Sequence, residues 1–142
     1  MNGNAELLNF IFQNSQMGVN TINQLLDIVE DTNFKKHLRD QLNEYQEINQ
    51  LAMGKLNENG YDEKGISALE KLRTYMMINI QTLTDKSTSH IAEMLIIGSN
   101  MGIIDAIKNL KKYKDGQNDI VGLMDRLLKF EENNMKELKQ FL

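Results

Sequence analysis

Residues 34–56, FKKHLRDQLNEYQEINQLAMGKL, and residues 119–141, DIVGLMDRLLKFEENNMKELKQF, decide the fold between them. In the first, Phe34, Leu38, Leu42, Tyr45, Asn49, Met53 and Leu56 recur at steps of three and four, the spacing that gathers side chains onto one face of an α-helix. The second repeats the pattern through Ile120, Leu123, Leu127, Phe130, Asn134, Leu138 and Phe141. Shifted by 85 residues (123 − 38), the two place Leu38 on Leu123, Asp40 on Asp125, Leu42 on Leu127, Glu47 on Glu132 and Asn49 on Asn134, while Tyr45 meets Phe130.

Each stretch is preceded by another helical pattern, and these match as well. Shifted by 84 (99 − 15), Ser15 falls on Ser99, Met17 on Met101, Gly18 on Gly102 and Leu26 on Leu110. The first helix is expected to start at an Asn4 N-cap, carry Leu7, Ile11, Ser15, Gly18, Ile22, Leu25 and Val29 inward, and end near Asp31. Thr32 or Asn33 can cap the second, and Asn59–Gly60 stops it. So short a connection makes the pair an antiparallel hairpin. The third long helix runs from about Ser87 through Ile91, Leu95, Gly102, Ala106 and Leu110 to Tyr113, and Asp115–Gly116 turns the chain into the fourth.

Between the hairpins, Tyr61 to Lys86 holds Ser67 and Glu70 in capping-box spacing, then Leu69, Leu72, Met76, Ile80 and Leu83 on one side. About 18 helical residues rise about 27 Å, enough to return the chain along a bundle. The predicted fold is therefore all-α: one antiparallel four-helix-bundle domain over residues 1–142, with a hairpin at 4–59, a partly helical crossover at 60–86, a second hairpin at 87–142 and internal twofold pseudo-symmetry.

Composition narrows the function classes. The 142 residues contain no Pro, which leaves helices uninterrupted, and no Cys, which removes disulfides, thiolate metal sites and cysteine nucleophiles. A net charge of −4 with mixed signs along the chain gives no basic stripe, so nucleic acid is not an expected partner. There is no cationic leader before an apolar run, and no uninterrupted apolar stretch approaches the roughly 18 residues of a membrane span, so a cytoplasmic protein is expected. No phosphate loop, nucleophile elbow or dinucleotide fingerprint is present, and the chain lacks Trp. The nine Met residues read as soft core filling. His37 and His90 sit on different helices with no matched carboxylate spacing and read as exposed surface residues.

The string Leu38-Arg39-Asp40-Gln41-Leu42-Asn43-Glu44, running on to Asn59-Gly60-Tyr61-Asp62, is similar to the bacterial spore coat protein F-like family, and the whole pattern resembles the ferritin-like superfamily, including rubrerythrin-like bundles. The local similarity covers about a quarter of the chain, and the rest rests on pattern. The resemblance implies an inward Glu on the first and third helices and a Glu-x-x-His on the second and fourth, holding two iron or manganese ions.

Here those slots read Gln46-x-x-Asn49 and Glu131-x-x-Asn134, with Gln13 and Ile97 on the other two helices. Both histidines are missing, and one carboxylate cannot balance two cations in a buried site. Gln13, Gln46, Asn49, Glu131 and Asn134 are thus expected to form a central polar network without a cofactor. The chain would then be a non-enzymatic structural or interaction protein, spore-associated if the resemblance holds, with protein partners or self-association. No uninterrupted outward apolar stripe names the surface. The alternative is a di-metal carboxylate oxidoreductase or iron-binding protein, with iron or manganese held by Glu131, Glu47, Glu132, Glu93 and His90. A third reading places a small molecule in a polar cavity beside Ser15, Gly98 and Ser99.

Overall fold

The computed structural model describes residues 3–61 and 69–142, all helical or in short connections. Its helices are α1 (Gly3–Leu26), α2 (Thr32–Glu58), α3 (Glu70–Gln81), α4 (Thr88–Lys112) and α5 (Asn118–Leu138), followed by a 3-10 turn at Lys139–Phe141. The long helices pair in sequence, α1 with α2 and α4 with α5. Contacts of α1 with α4 and α5, and of α2 with α5, close them around one core, and α3 lies against α4. Ser67, predicted to cap α3, lies outside the described residues.

The helix ends follow local chemistry. The first helix stops at Leu26, earlier than the predicted end near Asp31. Asp31 is instead the N-cap of α2, where its carboxylate accepts from the Phe34 N–H at 2.8 Å; it displaces Thr32 and Asn33 because its side chain reaches the third helical N–H. At the other end Gly60 adopts φ +67°, with Gly60 N–H donating to Asn57 O and Tyr61 N–H to Leu56 O. This is the paired closure that a left-handed residue after a helix permits. Ser87 caps α4 through the His90 N–H. Asn4 lies inside α1, and its side-chain oxygen accepts from the Gln117 N–H at 2.8 Å, tying the start of α1 to the start of α5.

Because α1 touches α2, α4 and α5, it is buried almost all round at its start: Leu7, Leu8, Phe10, Ile11 and Phe12 are all in the core. On α2 the buried face differs from the predicted one. Gln41, Ile48 and Ala52 point inward, whereas Leu42 and Asn49 are half-buried and Met53 is 37% exposed. The large flanking apolar residues attract a periodicity reading, while the true seam runs through a small residue and an amide.

Glycine placement shows how closely the helices approach. A Cβ on Gly18 would lie 2.7 Å from the Tyr45 ring, whereas one on Gly54 or Gly122, also helical, would meet nothing within 4 Å. Gly18→Ala should therefore lower stability by roughly 1–3 kcal/mol through overpacking. Gly54→Ala and Gly122→Ala should each raise it by roughly 0.5–1 kcal/mol by favouring the helix. Thermal denaturation of the three variants checks the contrast, and a stabilising Gly18→Ala would show that the Tyr45 contact is not tight.

Candidate functional site

The polar centre of the bundle is assembled from the glycine contacts inward. Because Gly18 has no side chain, the Tyr45 ring can lie against α1. It meets Phe130 edge-on, with ring centroids 4.9 Å apart, and its hydroxyl donates to Glu131 Oε2 at 3.1 Å. Asn14 Nδ2 donates to the other carboxylate oxygen, Oε1, at 3.0 Å. On α4, a Cβ at Gly102 would lie 3.3 Å from both Asn14 Nδ2 and Glu131 Oε2, so this glycine makes room for the pair.

Glu131 is only 2% exposed. Burial pushes its acid up to about 7 from an ordinary 4.5, although the hydrogen bonds from Tyr45 and Asn14 pull the other way. The Tyr45 phenol is pushed well above its usual value, first by burial and then by the neighbouring carboxylate. Glu131 therefore keeps its proton to a higher pH than an exposed glutamate would.

One turn further along α5, Asn134 is buried and its Oδ1 lies 3.1 Å from His37 Nε2. Gln41 Nε2 approaches the same ring nitrogen at 2.6 Å, and His37 Nδ1 faces Glu137 Oε2 at 3.5 Å. His37 Nε2 accepts from Gln41 when the proton is on Nδ1 and donates to Asn134 Oδ1 when it carries the proton itself. His37, expected at the surface, has a side chain only 10% exposed. It is a member of the polar cluster that sequence reasoning missed. The one available signal was its spacing of four residues from Gln41.

Between these groups lies a cavity of about 50 Å³, lined by Glu131, Asn134, Gln41, Tyr45, Gly98 and Ser99 and bounded on the α3 side by Leu72 and Met76. That is room for a few water molecules. Ser15, expected beside it, turns to its own helix and donates to Ile11 O at 2.7 Å.

The other predicted residues spread widely. Asn49 is half-buried and donates to Phe12 O and Ser15 Oγ, both at 3.1 Å, so it clamps α2 to α1. Gln13 is half-buried and accepts from Arg73 Nη2 at 3.1 Å, which turns it toward α3. Gln46 is exposed, as is Ile97. The burial pattern explains Gln46. In α1 and α4 the core positions lie 84 apart, as the identities do: Leu7 with Ile91, Ile11 with Leu95, Ser15 with Ser99. In α2 and α5 they lie 86 apart (131 − 45), pairing Phe34 with Ile120, Leu38 with Met124, Tyr45 with Glu131 and Ile48 with Asn134. The identities at 85 are therefore one residue out of step with burial, and the position equivalent to Glu131 belongs to Tyr45.

Of the alternative metal ligands, Glu47 is 62% exposed and paired with Arg126 at 3.1 Å. Glu93 and Glu132 are exposed, and His90 lies half-buried in the first turn of α4. Among the described residues no three His, Cys, Asp or Glu side chains converge on one point. The donor set around Glu131 is one carboxylate, a phenol and amides. It does not match the several anionic ligands that two buried iron or manganese ions require. Compared with protein-family models, curated proteins and solved structures, the chain gives no match.

The raised acid has a consequence for stability. The folded value lies above that of the unfolded chain, so the native state binds the extra proton between about pH 4.5 and 7. Stability from this group is fully present below the lower value and is lost as pH rises through the upper. Glu131→Gln, which keeps the shape and removes the titration, should gain on the parent as pH rises from about 5 to about 8, by on the order of 3 kcal/mol. Chemical denaturation across that range checks it, and a pH-independent difference between the two would refute the buried titration.

Proposed function

We propose that the chain is a ferritin-like bundle of two related hairpins, 4–59 and 87–142. In this reading it works without a metal centre, as a non-enzymatic structural or interaction protein of the spore-coat kind in the cytoplasm. The observation that carries the proposal is the coordination of Glu131: each carboxylate oxygen accepts from a neutral donor, Asn14 on one side and Tyr45 on the other. Buried among neutral donors, the carboxylate is neutralised by taking up a proton, which burial favours against the two hydrogen bonds, where a metal site would supply cations and further anions. The repeat supports the kinship of the hairpins, since Gly18 and Gly102 each make way for a side chain of the following helix, Tyr45 in one hairpin and Glu131 in the other.

The competing reading, a di-metal carboxylate oxidoreductase or iron-binding protein holding iron or manganese, would need Glu47, Glu132, Glu93 and His90 to join Glu131. Glu47 is tied up at the surface instead, with Glu44, on Arg126. Elemental analysis of protein produced with added iron and manganese decides between the two. The expected result is near-zero metal in the parent, Glu131→Gln and Glu47→Gln proteins alike. Stoichiometric metal that disappears in either variant would overturn the metal-free reading in favour of a di-metal oxidoreductase or iron-binding protein.

A further inference from the structure

The outer face of α4 carries a seam that the bundle does not use. Glu93, Ile97, Asn100, Ile104, Ile107 and Lys111 follow one another at steps of 4, 3, 4, 3 and 4 along the helix, the spacing of a two-helix coiled-coil seam. All six are exposed, and the three isoleucines show 40%, 45% and 37% of their surface. The helix is also more apolar than its inner face requires. It has a mean hydropathy of 1.3 over a window of which 44% is buried, which would by composition suffice for a membrane span.

We propose that α4 pairs with α4 of a second copy of this chain, antiparallel, about a twofold axis at the level of Gly102. The charges at the two ends of the seam choose this arrangement. A parallel pair would set Glu93 against Glu93 and Lys111 against Lys111, and like charges facing each other are unfavourable. The antiparallel pair sets Glu93 against Lys111 of the second copy, Ile97 against Ile107 and Asn100 against Ile104, each residue pairing with one whose number completes 204 (93 + 111).

A slip of one heptad in either direction loses this match. One direction puts Glu93 on Ile104 and Ile97 on Asn100, and the other puts Asn100 on Lys111. Both leave the acidic and basic ends unpaired. Asn100 faces Ile104 in this register and costs stability, so the end charges, and not Asn100, select it. The pairing is therefore reversible and concentration-dependent. It rests on the reading of the chain as an interaction module and gives that reading a partner.

Sedimentation equilibrium over a wide concentration range, with circular dichroism to confirm folding, tests the pairing on the full chain. The parent should show a monomer–dimer equilibrium, and Ile104→Glu should stay monomeric at every concentration. Glu93→Lys and Lys111→Glu should each weaken the dimer at least tenfold, and the double swap Glu93→Lys/Lys111→Glu should restore it. A parent that is monomeric throughout overturns the proposal, as does a dimer indifferent to Ile104→Glu. Failure of the double swap to restore association overturns the antiparallel register. A monomer that co-sediments with anionic phospholipid vesicles assigns the face to a lipid surface instead. Metal analysis reads the core and sedimentation reads the surface, so the proposal and the reading beneath it fail by different measurements.

Discussion

One carboxylic acid in the middle of an apolar bundle sets the terms for everything around it. An isolated charge there is costly, so the acid needs donors on both oxygens and a pKa that lets it shed its charge. Asn14 from α1 and Tyr45 from α2 supply the donors, and Gly102 of α4 stands aside for the carboxylate on α5. Tyr45 reaches it only because Gly18 leaves space for the ring. All four long helices are therefore indexed to a single group. A shift of α1, α2 or α5 along its axis would strand a buried polar atom and a shift of α4 would bring a side chain against the Asn14–Glu131 pair, and among the described residues no buried side-chain polar atom lacks a partner.

The second polar cluster extends this logic toward the end of the bundle. Asn134 repeats the inward direction of Glu131 one turn later, but it is answered by His37 of α2, whose ring is in turn met by Gln41. Both clusters join α5 to α2, a pair with little direct backbone contact compared with the hairpin partners. Hydrogen bonds thus join two helices whose backbones keep further apart than those of the hairpin partners, with the Tyr45–Phe130 ring contact beside them. The Phe34–Phe141 contact, with centroids 4.8 Å apart, closes the end beyond His37, whose ring also lies 5.4 Å from Phe141.

Much of the helical layout was legible because helices announce themselves through period and punctuation. Ser87, Asn59 and Gly60 acted at the predicted ends, and Glu131 and Asn134 were read as inward from the apolar residues around them. What escaped is what periodicity does not encode. Asp31 displaced its neighbours as a cap through side-chain reach, and His37 is buried by contacts from α5 and Phe141 that lie about a hundred residues away in sequence. The error at Gln46 has a different cause. Identities between α2 and α5 align at 85 while their buried faces align at 86, so a register taken from matching letters rotates α2 by one residue, about 100°. A sequence repeat preserves residues, whereas a bundle preserves directions, and the two can part by one position.

The two faces of α4 show how core and surface demands divide within one helix. At the level of the polar centre its inner face is built from Gly98, Ser99, Gly102 and Ala106, residues small enough for the other helices to approach closely. Small residues bury little apolar area, so this helix gains less from the core per turn than α1 does with Phe10, Ile11 and Phe12. Beyond its buried Ile91, Met94, Leu95 and Ile103, the helix carries Ile97, Ile104 and Ile107, which point away from the core. Ordinary core stability accounts for an isolated exposed isoleucine but not for three on one stripe bracketed by opposite charges. The tight polar centre asks α4 for small side chains on the inside at that level, and the apolar stripe outside it is area that another molecule can still remove from water.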